Sequence, residues 1–168
     1  MHIVLVEPEI PGNTGNISRL CAAEHLTLHL VEPLGFSIDD KHLKRAGLDY
    51  WDLLEVHVHP DFASVQRMLS GRRFFYNTTK AVKSYTDISY QEDDVLVFGK
   101  ETKGLPEELL LANEESCIRI PMIEEARSLN LSNAVAIVAL EALRQTGFPH
   151  LLKKSGRLFK GGESHEYL

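Results

Sequence analysis

The chain has 168 residues, of which 43% are apolar and 25% charged, the balance of a soluble protein with one domain. Its longest wholly apolar run, residues 134–140, is too short for a membrane-spanning helix of about 20 residues. The N-terminus does not show the pattern of a secretory signal, in which a basic segment precedes a long apolar one. The net charge of −6 argues against a nucleic-acid surface spread over the whole molecule, although a local basic strip remains compatible with it.

Apolar strands alternate with helices along the chain, which predicts an α/β fold with a mostly parallel sheet flanked by helices. The predicted strands are residues 2–6, 26–31, 53–58, 73–76, 95–98 and 116–120. The predicted helices are residues 17–24, 39–46, 61–69, 107–112 and 133–145. Pro8 and Pro11 predict an extended loop before the first helix. One domain over residues 1–150 is followed by a basic and then polar tail, residues 151–168, whose last ~8 residues we expect to pack poorly.

Ligands of parallel sheets bind where strands end, so the loops after the strands are the candidate sites. After the first strand, Asn13, Gly15, Asn16 and Arg19 put amides and a cation beside a glycine turn and a helix N-terminus, which suits a phosphate or a sugar. A plain turn followed by a surface arginine is the alternative. No GxGxxG or P-loop pattern supports a nucleotide site of either kind.

A second candidate loop, residues 99–106, follows the predicted strand 95–98. Gly99 and Gly104 lie five residues apart and Pro106 opens a helix, so the backbone of this loop can approach a flat ligand closely. Glu101 is placed to accept hydrogen bonds from a ligand or to brace another loop. A turn without a ligand is the alternative.

The third candidate lies in residues 118–145, where small polar side chains precede a wholly apolar helical segment. Ser128, Asn130, Ser132 and Asn133 come directly before residues 134–140. Helix capping by Ser132 or Asn130 explains one polar residue and not four, which favours a ligand site. A helix without a polar stripe is expected to be buried on nearly all sides, by its own sheet, by a partner subunit or by both.

Metal and disulfide chemistry have little support in the sequence. Cys21 and Cys117 lie far apart without a CxxC spacing, which is typical of free thiols in a reducing cytoplasm. His57 and His59 form an HxH pair with no third ligand at a recognisable spacing, so we expect no metal. The basic clusters are Lys41, Lys44 and Arg45; Arg72 and Arg73; and Lys153, Lys154, Arg157 and Lys160. Each is either part of a basic strip or a solvated face.

The three candidate ligand segments together resemble the motifs of the SPOUT methyltransferases, specifically the SpoU-type RNA 2′-O-ribose methyltransferases. The resemblance is carried by Asn13-x-Gly15-Asn16-x-x-Arg19, by residues 98–106, and by residues 120–122 with 128–134. It covers residues 3 to about 149. The short length, the segment 7–11 and the segment 45–50 are similar to the minimalist subgroup of the TrmL or YibK type, which methylates the ribose of the tRNA wobble nucleotide.

The resemblance implies a deep trefoil knot over about residues 75–145, against the general rule that chains are unknotted. It implies S-adenosylmethionine as cofactor, a cytoplasmic homodimer with the active site at the interface, and a tRNA anticodon stem-loop as substrate. The implied catalytic residues are Asn13, Arg19, Glu101, Ser128 and Asn130. The implied cofactor-binding residues are Asn77, Gly99, Ile120, Met122, Ser128, Leu129 and Ser132. The expected RNA-binding residues are Lys41, Lys44, Arg45, Lys153, Lys154 and Arg157.

Several functional alternatives stay open at this stage. The target is cytidine, uridine or both, with leucine tRNAs implied by the resemblance. Another tRNA or rRNA ribose, base N-methylation, or a non-catalytic RNA-binding protein of the same fold are the rival functions. A guanidinium stays protonated at neutral pH, so we interpret Arg19 as a phosphate ligand that favours ionisation of the hydroxyl. Glu101 is interpreted as a brace, because its charge would oppose the negative charge that develops on the reacting oxygen.

Overall fold

The structure is a computed structural model that describes residues 1–37 and 53–154. Within this part of the chain, seven strands form one parallel sheet in the order β3-β2-β1-β6-β4-β7-β5. The strands are β1 His2–Val6, β2 Thr27–Val31, β3 Val56–His59, β4 Phe74–Asn77, β5 Lys83–Ser84, β6 Val95–Phe98 and β7 Cys117–Arg119. The predicted α/β class with a mostly parallel sheet is confirmed.

Helices cover both faces of the sheet, because the side chains of each strand alternate between two apolar layers. The described helices are α1 Pro11–Ala23, α2 Phe62–Met68, α3 Glu107–Leu111 and α4 Leu131–Gln145. Ile3 and Leu5 of β1 belong to the same core cluster as residues of α1 and α4. Val4 and Val6 point the other way, into a cluster with residues of α2 and α3. The sheet is therefore the middle layer of three.

The first helix begins six residues earlier than the sequence predicted. Pro11 stands in the first turn of α1, where a proline loses no helical hydrogen bond and its fixed φ already suits the helix. The expected extended loop therefore ends at Ile10, and the expected glycine turn around Gly15 is helical. Asn13 consequently projects from the first turn of a helix and is almost fully buried.

Smaller differences concern the ends of other elements. The helix α4 begins at Leu131 because Asn130 caps it, and β3 lies later than the predicted strand 53–58. The short edge strand β5 has too few residues to give an alternation pattern and was missed. The predicted helix over residues 39–46 and the last residues of the tail lie outside the described residues.

The strand order brings the candidate loops to one edge of the sheet. The strands β1, β6, β4 and β7 are consecutive neighbours and parallel, so their carboxyl ends lie side by side. The segments that follow β1, β6 and β7 are the three candidate segments of the sequence. The knot over about residues 75–145 stays a prediction, since strand order alone does not define how the chain threads.

Candidate active site

A cleft of about 390 Å³ opens at the carboxyl ends of β4, β6 and β7. Its lining residues are 77–80, 98–105, Leu110, Ile120, Met122, 127–129, Leu131 and Ala134. The cleft is thus built by the end of β4, the loop between β6 and α3, and the irregular segment that joins β7 to α4. Two of the three candidate segments form its walls directly.

The loop after β6 is closed on itself by its two glycines. Gly104 has a φ of +70°, which glycine adopts without strain, and its N–H donates to the carbonyl of Lys100 at 2.8 Å. A Cβ at Gly99 would overlap the backbone of Gly104 and Leu105. The close approach expected from the glycine spacing is therefore between two parts of the loop itself.

Glu101 connects this loop to the first turn of α1. Its Oε2 accepts the backbone N–H of Glu9 at 2.8 Å, and its Oε1 accepts the N–H of Ile10 at 3.2 Å. Ile10 is the N-cap residue of α1, so the carboxylate of Glu101 accepts the N-cap N–H, as the glutamate of a capping box does within its own helix. Asn13 Nδ2 donates to the same carboxylate at 3.0 Å.

The contact between the two loops is reciprocal. The carboxylate of Glu9 accepts hydrogen bonds from the backbone N–H and the hydroxyl of Thr102, both at 3.0 Å. These bonds lower the pKa of Glu9. Lys100 pairs with Glu7, and this hydrogen bond raises the pKa of Lys100. The segment before α1 is therefore bonded to the wall of the cleft by side chains from both loops.

A chain of amides extends the network to the start of α4. Asn130 Nδ2 donates to Asn13 Oδ1 at 3.0 Å. Because Asn13 turns its NH₂ group to the carboxylate of Glu101, only its oxygen is left for Asn130. The oxygen of Asn130 then caps α4 by accepting the N–H groups of Ser132 and Asn133 at 3.0 and 3.3 Å. Capping by Asn130, one of the two expected caps, is confirmed.

The predicted catalytic residues fall into three positions. Glu101 and Ser128 line the cleft. Asn13 and Asn130 stand beside it and are tied to Glu101 by the amide chain. Arg19 lies on the exposed side of α1 and is not among the lining residues. The single chain thus brings four of the five residues together.

Most of the predicted cofactor-binding residues line the cleft: Asn77, Gly99, Ile120, Met122, Ser128 and Leu129. Ser132 does not line it, because its hydroxyl donates to Asn130 Oδ1 at 2.6 Å inside the helix cap. Sequence reasoning missed Thr78, Thr79 and Lys80 after β4, and Lys103 and Arg127 in the other walls. Their position directly after a strand is a signal that identifies the first three.

The predicted RNA-binding residues are placed only in part. Lys153 and Lys154 are exposed. Lys41, Lys44, Arg45 and Arg157 lie outside the described residues. Within the described ranges, no cluster of three or more His, Cys, Asp or Glu side chains is arranged to hold a metal ion, and no helix there has the length and apolarity that a membrane crossing requires.

One polar side chain of the cleft has no hydrogen-bond partner among the residues that the structure describes. Both amide atoms of Asn77 are buried, and neither has a hydrogen-bond partner among the described residues. A buried amide without partners costs about 1–3 kcal/mol, so groups of this kind are rare away from ligand sites. Asn77 therefore indicates a wall that is completed by a ligand.

Comparison with known proteins agrees with this geometry. Residues 1–140 match the SpoU rRNA Methylase family. The chain is 53% identical over 156 residues to a putative tRNA (cytidine(34)-2'-O)-methyltransferase of Listeria innocua, covering 91% of this chain and 92% of that protein. It is 51% identical over 150 residues to the tRNA (cytidine(34)-2'-O)-methyltransferase of Escherichia coli, covering 89% of this chain and 96% of that one.

Solved structures show the same architecture. A structure described as giving insights into the 2-OH methylation of C/U34 on tRNA superposes with a TM-score of 0.82 at 44% identity, covering 86% of this chain and 95% of that chain. An AdoMet-bound rRNA methyltransferase from Sinorhizobium meliloti has a TM-score of 0.71 at 29% identity, covering 85% of this chain and 55% of that chain. With its family match, its relatives and its parallel sheet in agreement, the chain belongs to the SpoU methylase family and has the SPOUT fold.

Proposed function

We propose that this protein is an S-adenosylmethionine-dependent tRNA methyltransferase that modifies the ribose 2′-hydroxyl of wobble nucleotide 34, a cytidine or a uridine, in the cytoplasm. Relatives at about half identity over nearly the whole chain carry this activity in their names. The single structural observation that carries the proposal is the network Asn130–Asn13–Glu101 at the rim of the cleft. It joins the cleft wall, the start of α4 and the helix bearing Arg19 by hydrogen bonds.

The cleft fits S-adenosylmethionine in its donor groups and in its shape. The unpartnered amide of Asn77 offers hydrogen bonds at one end. Phe98, Leu105 and Ile120 supply apolar walls for a base, and the exposed Ser128 stands at the other side of the lining. The residues that would hold the cofactor are thus Asn77, Gly99, Ile120, Met122, Ser128 and Leu129.

Bound in this cleft, S-adenosylmethionine supplies a methyl group on a sulfonium, which an oxygen attacks in line as the C–S bond breaks and the C–O bond forms. The chain's task is to hold the ribose in line and to favour loss of the hydroxyl proton. Ser128 orients the ribose from the cleft wall. Glu101 is unsuited as the base, because its carboxylate already accepts three N–H groups. It holds the two loops in register instead.

Arg19 completes the site from across a dimer interface in this proposal. It lies outside the lining of its own cleft, on a helix that packs against α4. The helix α4 leaves Ile137 and Leu140 36% and 41% exposed, although its sequence predicts burial on nearly all sides. A homodimer that covers these residues brings α1 of one subunit towards its partner. Arg19 then binds a tRNA phosphate and stabilises the negative charge on the attacking oxygen.

A transfer assay with defined tRNA substrates tests the proposal. Tritiated S-adenosylmethionine is offered with an unmodified tRNA carrying cytidine or uridine at position 34, and with the same tRNA carrying a 2′-deoxynucleotide there. We expect label in the first tRNA and none in the second, since the second lacks the accepting oxygen. Equal labelling of both, or labelling of rRNA alone in total RNA, would contradict position 34 as the target.

A further inference from the structure

Asn77 ends β4 with an unusual side chain. Among the residues that the structure describes, it alone keeps both polar side-chain atoms buried without a hydrogen-bond partner. An amide offers one acceptor and two donors, and leaving them unpaired in a low-dielectric site is unfavourable. A side chain that only filled space here would be better apolar. The amide is therefore suited to a partner outside the described residues, such as a ligand in the cleft.

The walls around Asn77 narrow the choice of partner. Phe98, Leu105 and Leu110 are buried, and Ile120 is half-buried. These apolar residues line the cleft together with Asn77 and the side-chain-free Gly99. The exposed polar residues of the lining form its outer part, and they are Thr79, Lys80, Thr102, Lys103, Arg127 and Ser128, whereas the apolar residues form its buried part. A flat aromatic base fits beside Asn77 better than the charged amino-acid end of S-adenosylmethionine.

We propose that Asn77 is the side chain that reads the adenine of S-adenosylmethionine, an inference that rests on the proposed function. Its Oδ1 accepts a hydrogen bond from the exocyclic amino group, and its Nδ2 donates to the adjoining ring nitrogen. Asparagine makes this bidentate pair with adenine in nucleic-acid recognition, because donor and acceptor alternate in the same order on both partners. The enclosed amide turns about its Cα–Cβ bond to face the base when the cofactor enters.

Selectivity follows from the pairing. A purine without the amino group leaves Oδ1 of Asn77 buried and unpaired. The free-energy cost of this unpaired oxygen weakens binding of the analogue relative to adenine. Bound adenine gives a hydrogen-bond partner to both Oδ1 and Nδ2 of Asn77. Binding of the cofactor thus relieves a defect of the ligand-free protein.

Calorimetry with two ligands and three variants tests the inference. The ligands are S-adenosylhomocysteine and its purine-riboside counterpart, in which hydrogen replaces the amino group. We expect the wild-type protein to prefer the adenine ligand by about tenfold to a hundredfold. Asn77→Leu, of similar size, should reduce the preference to about threefold or less. Asn77→Asp keeps the acceptor opposite the amino group and should keep the preference, while it binds both ligands more weakly.

The matched control is Gln91→Leu, an exposed amide at the opposite end of β6, which should keep the wild-type ratio. A wild-type protein that binds neither ligand refutes the proposed function itself. Binding of the adenine ligand with an unchanged preference in Asn77→Leu overturns the role of Asn77 alone.

Thermal unfolding without ligand gives an independent readout. Replacing an unpaired buried amide by an apolar side chain removes its desolvation penalty, so ligand-free Asn77→Leu should melt several degrees above the wild-type protein. A lower melting temperature, or failure of this variant to fold, would show that the amide has a partner in the protein and would overturn the inference.

Discussion

Glu101 shows how single residues of this protein act through the segments that they join. Its carboxylate accepts hydrogen bonds from the backbone of Glu9 and Ile10 and from the side chain of Asn13. All three donors belong to the start of α1, about 90 residues away in sequence. The residue holds the chain segment that enters α1 and the first-turn side chain of Asn13, and it connects the cleft wall to that helix.

Replacing Glu101 by glutamine tests this role at the residue scale. Glutamine has one acceptor oxygen and turns an NH₂ group towards at least one of the N–H donors, so at least one donor of this part-buried contact loses its partner. We expect the free energy of unfolding to fall by about 1–3 kcal/mol, measured by urea unfolding. Glu92→Gln, an exposed carboxylate before β6, is the control and should change stability little. Equal stability of both variants would contradict the bracing role.

Replacing Arg19 by alanine should affect methyl transfer without affecting cofactor binding. Because it lies outside the cofactor cleft, Arg19→Ala should bind S-adenosylhomocysteine with a dissociation constant close to that of the wild-type protein. Loss of a fixed positive charge at the reacting oxygen should lower methyl transfer to tRNA by about 10²–10³-fold. Calorimetry and the tritium assay measure the two effects. Arg67→Ala, an exposed arginine on α2, is the control, and near-normal turnover of Arg19→Ala would refute the assignment.

At the scale of elements, α4 combines a buried face with an apolar exposed one. Val135, Val138 and Ala139 are fully buried against the sheet. Ile137 and Leu140 are exposed on the described chain. An exposed apolar stripe on a helix is typical of a surface that another subunit covers.

A charge placed on this stripe should separate the subunits. In Ile137→Lys, dimerisation would bury an unpaired ammonium, which is strongly unfavourable, so we expect sedimentation to show monomers at concentrations where the wild-type protein is a dimer. Methyl transfer should fall in parallel if Arg19 acts across the interface. Leu111→Lys changes an exposed leucine on α3 in the same way and should leave the oligomeric state unchanged. A dimeric Ile137→Lys would disprove the interface.

At the scale of the whole molecule, a row of histidines crosses the first three strands. His2 Nδ1 lies 3.0 Å from His29 Nε2, and His29 Nδ1 lies 2.9 Å from His59 Nε2. Neutral imidazoles satisfy such a row, since each one donates once and accepts once. Burial lowers the pKa of His2 to about 4 and that of His29 to about 3, and it also lowers the pKa of His59.

This row predicts loss of stability in acid. Histidine is half-protonated near pH 6.5 in the unfolded chain, whereas these side chains stay neutral in the folded protein to lower pH. Their stabilising contribution is present above about pH 6.5 and declines as pH falls from there towards 4, by at most about 1.4 kcal/mol per pH unit for each imidazole. Urea unfolding from pH 7.5 to 5 measures the slope. His29→Gln should flatten it, and an unchanged slope would contradict the assignment.

The distribution of charge over the molecule bears on tRNA binding. The net charge is −6, so contact with phosphates depends on local cations such as Lys153 and Lys154. Replacing both lysines by alanine should weaken tRNA binding. It should also reduce the slope of the logarithm of the binding constant against the logarithm of salt concentration by roughly one to two. Lys83→Ala removes a lysine that already pairs with Glu115 and is the control. An unchanged slope in the double variant would exclude these two residues from the tRNA surface.

Local patterns determined most of the elements and the positions of the candidate loops. A strand and its following polar loop are adjacent in sequence, so the three candidate segments are readable without a structure, and two of them line the cleft. Asn130 was identified as a possible cap for the same reason. The start of α1 was misjudged, because a proline suits both an extended loop and a first helical turn.

Contacts between distant segments were decided only by the tertiary structure. The pairing of Glu101 with residues 9, 10 and 13, the unpaired amide of Asn77 and the alignment of His2, His29 and His59 depend on strand order and register. A sequence shows which residue follows which strand, but it does not show which strands become neighbours or what each side chain meets there. By itself the sequence determined the α/β architecture and its candidate loops. Only the packing of β1 and β4 beside β6 decided how those loops meet as one site.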